Sequence, residues 1–306
     1  MNNFLKYYRA IWGFHNSYFI EYYAKSFLRP VVSNCREHRV FNLLKYRKCV
    51  VCGLEVEYEN KDGKLVLLGT EIGNAFDVTP RVLDALKNAD YILCEHEDSF
   101  EGFLNTFKFK PKGIIFGYSE FDNNENGNKK RIWLYEEILS GKDAVMIADQ
   151  GMPFVMDPCD DIFKDAINYG VKTTIFPGPD APVTALNISG LNAWDFTFIG
   201  FLPHQTKDKE DLLRLIKYDD KTNIFFDKDI YILETLKQLS EILGENKNIA
   251  LCFNITRETE NIIRGTVKEV IDWLLKNGYD QPREDAEWLV QLTVVVEGNN
   301  PKGPHI

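Results

Sequence analysis

Nowhere does the sequence hold an uninterrupted apolar run approaching the ~20 residues of a membrane span. Its opening, MNNFLKYYRAIWGFHNSYFIEYY, also lacks the compact apolar segment and cleavage site of a secretory signal. The expectation is a cytoplasmic protein with no membrane partner. Cysteine is sparse, six in 306 residues. A chain of this length buries enough apolar surface to need no covalent staples, which suits a reducing compartment. Internal repeats and low-complexity tracts are missing, which excludes solenoids and fibrous arrays. The net charge of −10 argues against a surface that coats nucleic acid over its whole extent.

What is present is a globular composition, 44% apolar and 27% charged, on a length that suits two domains or one large one. Charge is unevenly spread. The first sixty residues carry nine Lys and Arg against five Glu and no Asp, giving +4, and the remainder carries −14. Residues 1–63, rich in Tyr, Phe, Arg and Lys and without β-α alternation, read as an appendage. Such a basic arm could hold a phosphate chain while an acidic body does the chemistry. It closes on the turn signal Asn60-Lys61-Asp62-Gly63.

Beyond it, short apolar runs at 64–68, 91–94, 113–116, 143–147 and 172–176 alternate with amphipathic stretches such as 80–88 and 158–169. Strand, helix, strand repeated in this way predicts an α/β fold with a largely parallel sheet covered by helices. The polar segment 122–130 reads as a surface loop. A second series has strands at 197–199, 222–226, 248–253 and 288–296 and helices at 208–218, 229–243 and 266–277. The composition shift at 177–182 suggests a hinge, hence an N-terminal α/β domain at 64–181, a C-terminal one at 182–298 and a frayed tail at 299–306.

Ligands of open parallel sheets bind at the carboxyl ends of strands, where Gly- and Pro-rich loops bring backbone N–H groups close. Three such loops stand out: Gly69-Thr70-Glu71-Ile72-Gly73-Asn74, Ala148-Asp149-Gln150-Gly151-Met152-Pro153 and Pro177-Gly178-Pro179-Asp180-Ala181. The first has the wrong glycine spacing for a dinucleotide fingerprint and lacks the Lys-Ser/Thr ending of a phosphate-binding P-loop. Each loop alone reads more simply as a plain turn; their joint position at strand ends makes a site an equal reading.

The segment LGTEIGNAFDVTPRVLDALKNAD at 68–90 resembles the opening of the ribosomal RNA small subunit methyltransferase I family, in the tetrapyrrole methylase superfamily. The resemblance runs on in order through CE at 94–95, ADQGMPFVMDP at 148–158, PGPDAPVTALNISGL at 177–191, FTFIGFLP at 196–203, TRETENIIRGT at 256–266 and VVVEG at 294–298, covering about 230 residues. It implies two α/β domains of tetrapyrrole-methylase type with an active-site cleft between them, plus the small N-terminal appendage. It further implies a homodimer that transfers a methyl group from S-adenosylmethionine to a ribose 2′-hydroxyl of small-subunit ribosomal RNA.

Carried over by position, the resemblance assigns cofactor binding to Thr70, Ile72, Gly73 and Asn74; to Ala148, Asp149, Gly151, Pro153 and Asp157; and to Pro177, Gly178, Pro179 and Ala181. Methyl transfer is an in-line displacement from a sulfonium, so proximity and alignment supply much of the rate. It also needs an acceptor for the hydroxyl proton. Glu95 and Asp149 are the candidate catalytic residues. His96 is a third candidate, though it reads more simply as a satisfied structural histidine. Arg81, Arg257 and Arg264 stand at matching positions as candidate substrate contacts.

Departures from the family pattern cluster at basic positions. Cys94-Glu95-His96-Glu97-Asp98 stands where the family reads Cys-Glu-Asp-Thr-Arg. Phe226-Asp227-Lys228-Asp229-Ile230-Tyr231 stands where it reads Tyr-Glu-Ser-Pro-His-Arg, and Phe253-Asn254 replaces an Arg-Glu. Phosphate neutralisation dominates RNA affinity. Two other readings therefore stay open: a same-superfamily methyltransferase retargeted to a peptide or tetrapyrrole, and a degenerate homologue that binds RNA or the ribosome as an assembly protein.

In the appendage, Cys35, His38, Cys49 and Cys52 form a C-x2-H-x10-C-x2-C pattern, two close ligand pairs that suit tetrahedral structural zinc; buried free thiols are the alternative. A stapled module there would display Arg36, Arg39, Lys45, Arg47 and Lys48 to RNA. Cys94, Cys159 and Cys252 lack spaced partners and are expected in the core.

Overall fold

A computed structural model describes residues 63–158, 160–203, 206–281 and 291–300, the side chains at 160, 206 and 291 excepted. The appendage, with Cys35, His38, Cys49 and Cys52, lies outside the described residues, as does Cys159. Residues 62–306 form one unit containing two five-stranded sheets.

The first sheet comprises β1 (Lys64–Leu68), β2 (Tyr91–Cys94), β3 (Ile114–Gly117), β4 (Ala144–Ile147) and β5 (Lys172–Phe176), in the order β3-β2-β4-β1-β5 and parallel throughout. Its central strands are continuous apolar runs because helices cover both faces. The strand period of two divides them: Leu65 and Leu67 join Leu93, Ala144 and Met146 on one face, while Val66 and Leu68 join Ile92, Cys94, Val145 and Ile147 on the other. Covering helices are α1 (Pro80–Asn88), α2 (Glu97–Phe107), α3 (Glu125–Leu139) and α4 (Asp160–Asn168). Thr79 caps α1 with Pro80 in its first turn, the position where a missing N–H costs nothing.

The second sheet holds β6 (Phe196–Phe201), β7 (Thr222–Lys228), β8 (Asn248–Phe253), β9 (Asn261–Thr266) and β10 (Gln291–Val296), in the order β6-β7-β10-β8-β9. Only β6 and β7 run parallel; the other pairings are antiparallel. The helices of this half are α5 (Ala181–Ser189), α6 (Thr206–Lys217), α7 (Ile232–Leu243) and α8 (Val267–Lys276). A capping box between Thr266 and Glu269 starts α8. The α5 residues Ala185 and Leu186 pack with Ile224, Ala250, Cys252 and Val295 of the sheet, and Ile72 from the loop after β1 enters the same cluster. That side chain ties the loop after β1 to the second half's core.

Three sequence expectations need correction. The 122–130 segment is not a loop throughout: the Asn124 side chain accepts from the Gly127 N–H and opens α3, whose Leu134, Tyr135 and Ile138 are buried. Its first turns are polar, which hides the apolar period from a reader of the sequence. Strand β9 was missed, being a short sheet-edge segment with Arg264 and Gly265 in it. Asn299 and Asn300, expected in a frayed tail, donate their N–H groups to the carbonyls of Asp219 and Asp220.

The cap on α3 can be tested. Asn124→Ala is expected to cost about 0.5–2 kcal/mol in urea unfolding; an unchanged midpoint and slope would mean that the helix does not begin there.

Candidate active site

The three glycine-rich loops follow β1, β4 and β5, which are neighbours in the sheet, so strand order alone brings them together. Backbone bonds then lock them. The Thr70 N–H donates to the Gly151 carbonyl at 2.8 Å, and the Gly151 N–H returns a bond to the Glu71 carbonyl at 3.0 Å. On the other side the Gly178 N–H points at Met152 Sδ, 3.2 Å away. Gly69 and Gly178 touch backbone to backbone: a Cβ on Gly178 would lie 2.7 Å from the Gly69 carbonyl carbon, and one on Gly69 would lie 2.6 Å from the Gly178 nitrogen. Neither position admits a side chain without moving a loop. The Asn74 N–H reaches across to Thr256 Oγ1 at 3.1 Å.

These loops form one wall of a cavity of about 440 Å³, within the range of small-molecule sites. The opposite wall is Phe201, Phe226, Asp227, Lys228, Leu292 and Thr293 of the second sheet. Of the residues singled out in the sequence, Ile72, Glu95, Asp149, Gly151, Asp157 and Ala181 line it. The remainder support it: Thr70, Ala148 and Pro153 are buried, Gly178 packs on Gly69, and Gly73, Asn74, Pro177 and Pro179 are not in the wall. Sequence reasoning included Met152 in its second loop but missed the Val155 and Met156 side chains and the whole second-sheet wall. Positive φ at Phe154 (73°) and Met156 (70°), conformations rare outside glycine, had no sequence signal.

Residues 64–271 match the family described as Tetrapyrrole (Corrin/Porphyrin) Methylases. The chain belongs to this family. Over 247 residues it is 33% identical to a protein of Halalkalibacterium halodurans named Ribosomal RNA small subunit methyltransferase I, covering 80% of each chain. A Thermotoga maritima protein of the same name is 32% identical over 240 residues, 77% of this chain and 99% of that one. Among solved structures, a diphthine synthase aligns with TM-score 0.53 at 16% identity over 76% of this chain and 90% of that one. The methyltransferase CobJ aligns with TM-score 0.52 at 17% identity over 78% and 95%. These last two show the shared fold.

The cavity is acidic. Among the described residues, Glu95, Asp149, Asp157, Asp180 and Asp227 face it together with one cation, Lys228. Burial, reinforced by Glu95 and then Asp149, pushes the Asp157 carboxyl up to about 7, and its Oδ2 is buried without a hydrogen-bond partner. Asp149 sits in a denser network. Its backbone N–H donates to Glu95 at 3.2 Å, and its carboxylate accepts from the His96 N–H (3.3 Å), the Ser99 hydroxyl (3.0 Å) and His96 Nδ1 (2.8 Å). Glu95, His96 and Asp149 lie close enough to share a cation, yet this network already uses the Asp149 oxygens.

None of the three candidate arginines lines the cavity. The Arg81 guanidinium lies 3.5 Å over the Phe176 ring centroid. Arg264 donates to the carbonyls of Ile188 and Ser189 at the C-terminus of α5, where a cation complements the helix dipole. Arg257 reaches Gln150 at 3.4 Å beside the loop. Cys94 and Cys252 are buried as expected, with burial pushing both thiols up to about 12, so neither serves as a nucleophile at neutral pH.

Asp157 gives a test by linkage. Its folded pKa stands above the ~3.9 of an unfolded aspartate. The stability it contributes is therefore complete below pH ~4 and lost as pH rises to about 7. Asp157→Asn should gain stability relative to wild type as pH increases over that interval, read from urea midpoints at pH 4 and 8. A pH-independent difference would place the carboxyl in water.

Proposed function

We propose that this methyltransferase takes its methyl group from S-adenosylmethionine bound in the acidic cavity and delivers it to a ribose 2′-hydroxyl of small-subunit ribosomal RNA. The observation that carries the donor half is the convergence of the three loops on a cavity that, among the described residues, is lined by five carboxylates and one lysine. The donor's sulfonium and ammonium are cations, which such a wall attracts, and the product loses the sulfonium charge. The buried Asp157 oxygen supplies an unused acceptor for a donor N–H or hydroxyl. Residues Ile72, Gly151, Asp157 and Ala181 would hold the donor, with Thr70, Ala148, Pro153 and the Gly69–Gly178 contact fixing their backbone. When bound, the group supplies an electrophilic methyl carbon; the protein's part is to orient it, exclude water and leave the incoming hydroxyl a path.

The RNA half rests on the names of the relatives and on what adjoins the cavity. A neighbouring cavity of about 530 Å³ shares Phe201, Phe226, Asp227 and Lys228 with it and adds Tyr231. Exposed Phe201 and Tyr231 offer faces on which nucleobases can stack. An acidic cavity repels phosphate, so cationic groups elsewhere must hold the backbone, and the arm at 1–63 with its net positive charge is the source the sequence offers. A structural zinc on Cys35, His38, Cys49 and Cys52, domains at 64–181 and 182–298, a homodimer and a cytoplasmic site of action complete this reading.

Labelled methyl transfer to small ribosomal subunits with unmethylated RNA tests it. The label should be lost to ribonuclease and should sit on a nucleotide whose 3′ linkage resists alkali, as a blocked 2′-hydroxyl requires. Label removed by protease instead would favour the peptide reading. Gly178→Val should lower S-adenosylmethionine affinity more than tenfold with circular dichroism unchanged; full affinity would mean the donor lies elsewhere.

A further inference from the structure

We propose that His96, held by Asp149, is the proton acceptor for the substrate hydroxyl, a role that rests on the reading of the site just given. The pair sits where a polymer can reach it. Asp149 lines the cavity, and the His96 side chain bonded to it is 66% exposed to solvent.

Its chemistry follows from its bonds. Nδ1 lies 2.8 Å from an Asp149 carboxylate oxygen that can only accept, so Nδ1 carries the proton in the neutral ring and Nε2 carries the lone pair. Nε2 has no hydrogen-bond partner among the described residues. Asp149 is itself held, by the His96 N–H, the Ser99 hydroxyl and its own N–H bond to Glu95. This is an oriented base with a fixed tautomer. The other carboxylates serve less well: a Glu95 oxygen accepts the Asp149 N–H, and the unused oxygen of Asp157 is shut off from any large substrate.

In the transfer, the hydroxyl oxygen gives a lone pair to the methyl carbon as the carbon–sulfur bond pair leaves with sulfur. The hydroxyl proton passes to Nε2. The resulting imidazolium is stabilised by Asp149, then releases the proton to water. The groups facing His96 set its working range. Asp149 raises its pKa most, with smaller contributions from Glu95 and Asp98. The N-terminal end of α2, where His96 is the cap residue and Glu97, Asp98 and Ser99 follow, opposes a positive charge through its dipole.

The test uses the full chain and His96→Asn, whose amide keeps a donor toward Asp149 and removes the Nε2 acceptor. Methyl transfer to unmethylated small ribosomal subunits should fall by roughly 10²–10⁴-fold, with S-adenosylmethionine affinity by calorimetry within about threefold of wild type. The wild-type rate should fall below the imidazole pKa, and that acid limb should vanish in the variant. Independently of turnover, histidine NMR should show His96 titrating above the ordinary 6.5 and shifting down in Asp149→Asn. A variant that transfers methyl at the wild-type rate with the same acid limb, or a His96 titration indifferent to Asp149→Asn, overturns the proposal alone. Wild-type protein that binds the donor and methylates no RNA overturns it together with the reading beneath it.

Discussion

The close approach of Gly69 and Gly178 is the constraint on which the site depends. Two strands of a parallel sheet are held about 4.8 Å apart, and the loops leaving β1 and β5 can cross only if neither carries a side chain at the crossing. The Gly178 N–H then meets Met152, and the Thr70 N–H to Gly151 and Gly151 N–H to Glu71 bonds join the first two loops. Ile72, one turn further on, is buried in the cluster beneath the second sheet. A side chain at either glycine therefore displaces one of the loops that form the cavity wall.

Electrostatically the protein divides its labour. The cavity is lined by carboxylates and suits a cationic donor, whereas RNA needs positive charge. Of the arginines at family positions, Arg81 lies over Phe176 and Arg264 donates to carbonyls at the end of α5. The first sixty residues, with nine of the 36 Lys and Arg, carry a net +4 against −14 in the remainder. That arrangement fits a body that keeps the methyl-transfer chemistry of its family with its substrate contacts placed elsewhere.

The central strands β1, β2 and β4 were legible because each is an apolar run buried on both faces, and the three loops because Gly and Pro mark strand ends. Helix α3 was not, since its apolar residues begin only after two polar turns, and β9 was not, since an edge strand can carry Arg and Gly. Half the cavity was also out of reach. Phe226, Asp227, Lys228, Leu292 and Thr293 reach it through the pairing of β10 with β7, a long-range register that no local pattern encodes. The sequence offered Glu95, His96 and Asp149 as competing bases; only the fold shows that His96 Nδ1 is bonded to Asp149, whose N–H donates to Glu95.

The central claim is that a donor cation lies against the Asp149, Asp157 and Ala181 wall. A crystal structure of the full chain soaked with S-adenosylmethionine tests it most directly. The account predicts density for the donor in the 440 Å³ cavity, with a donor polar group on Asp157 and the methyl group directed toward His96. Donor density in the neighbouring cavity by Tyr231, or none at saturating donor, would contradict it.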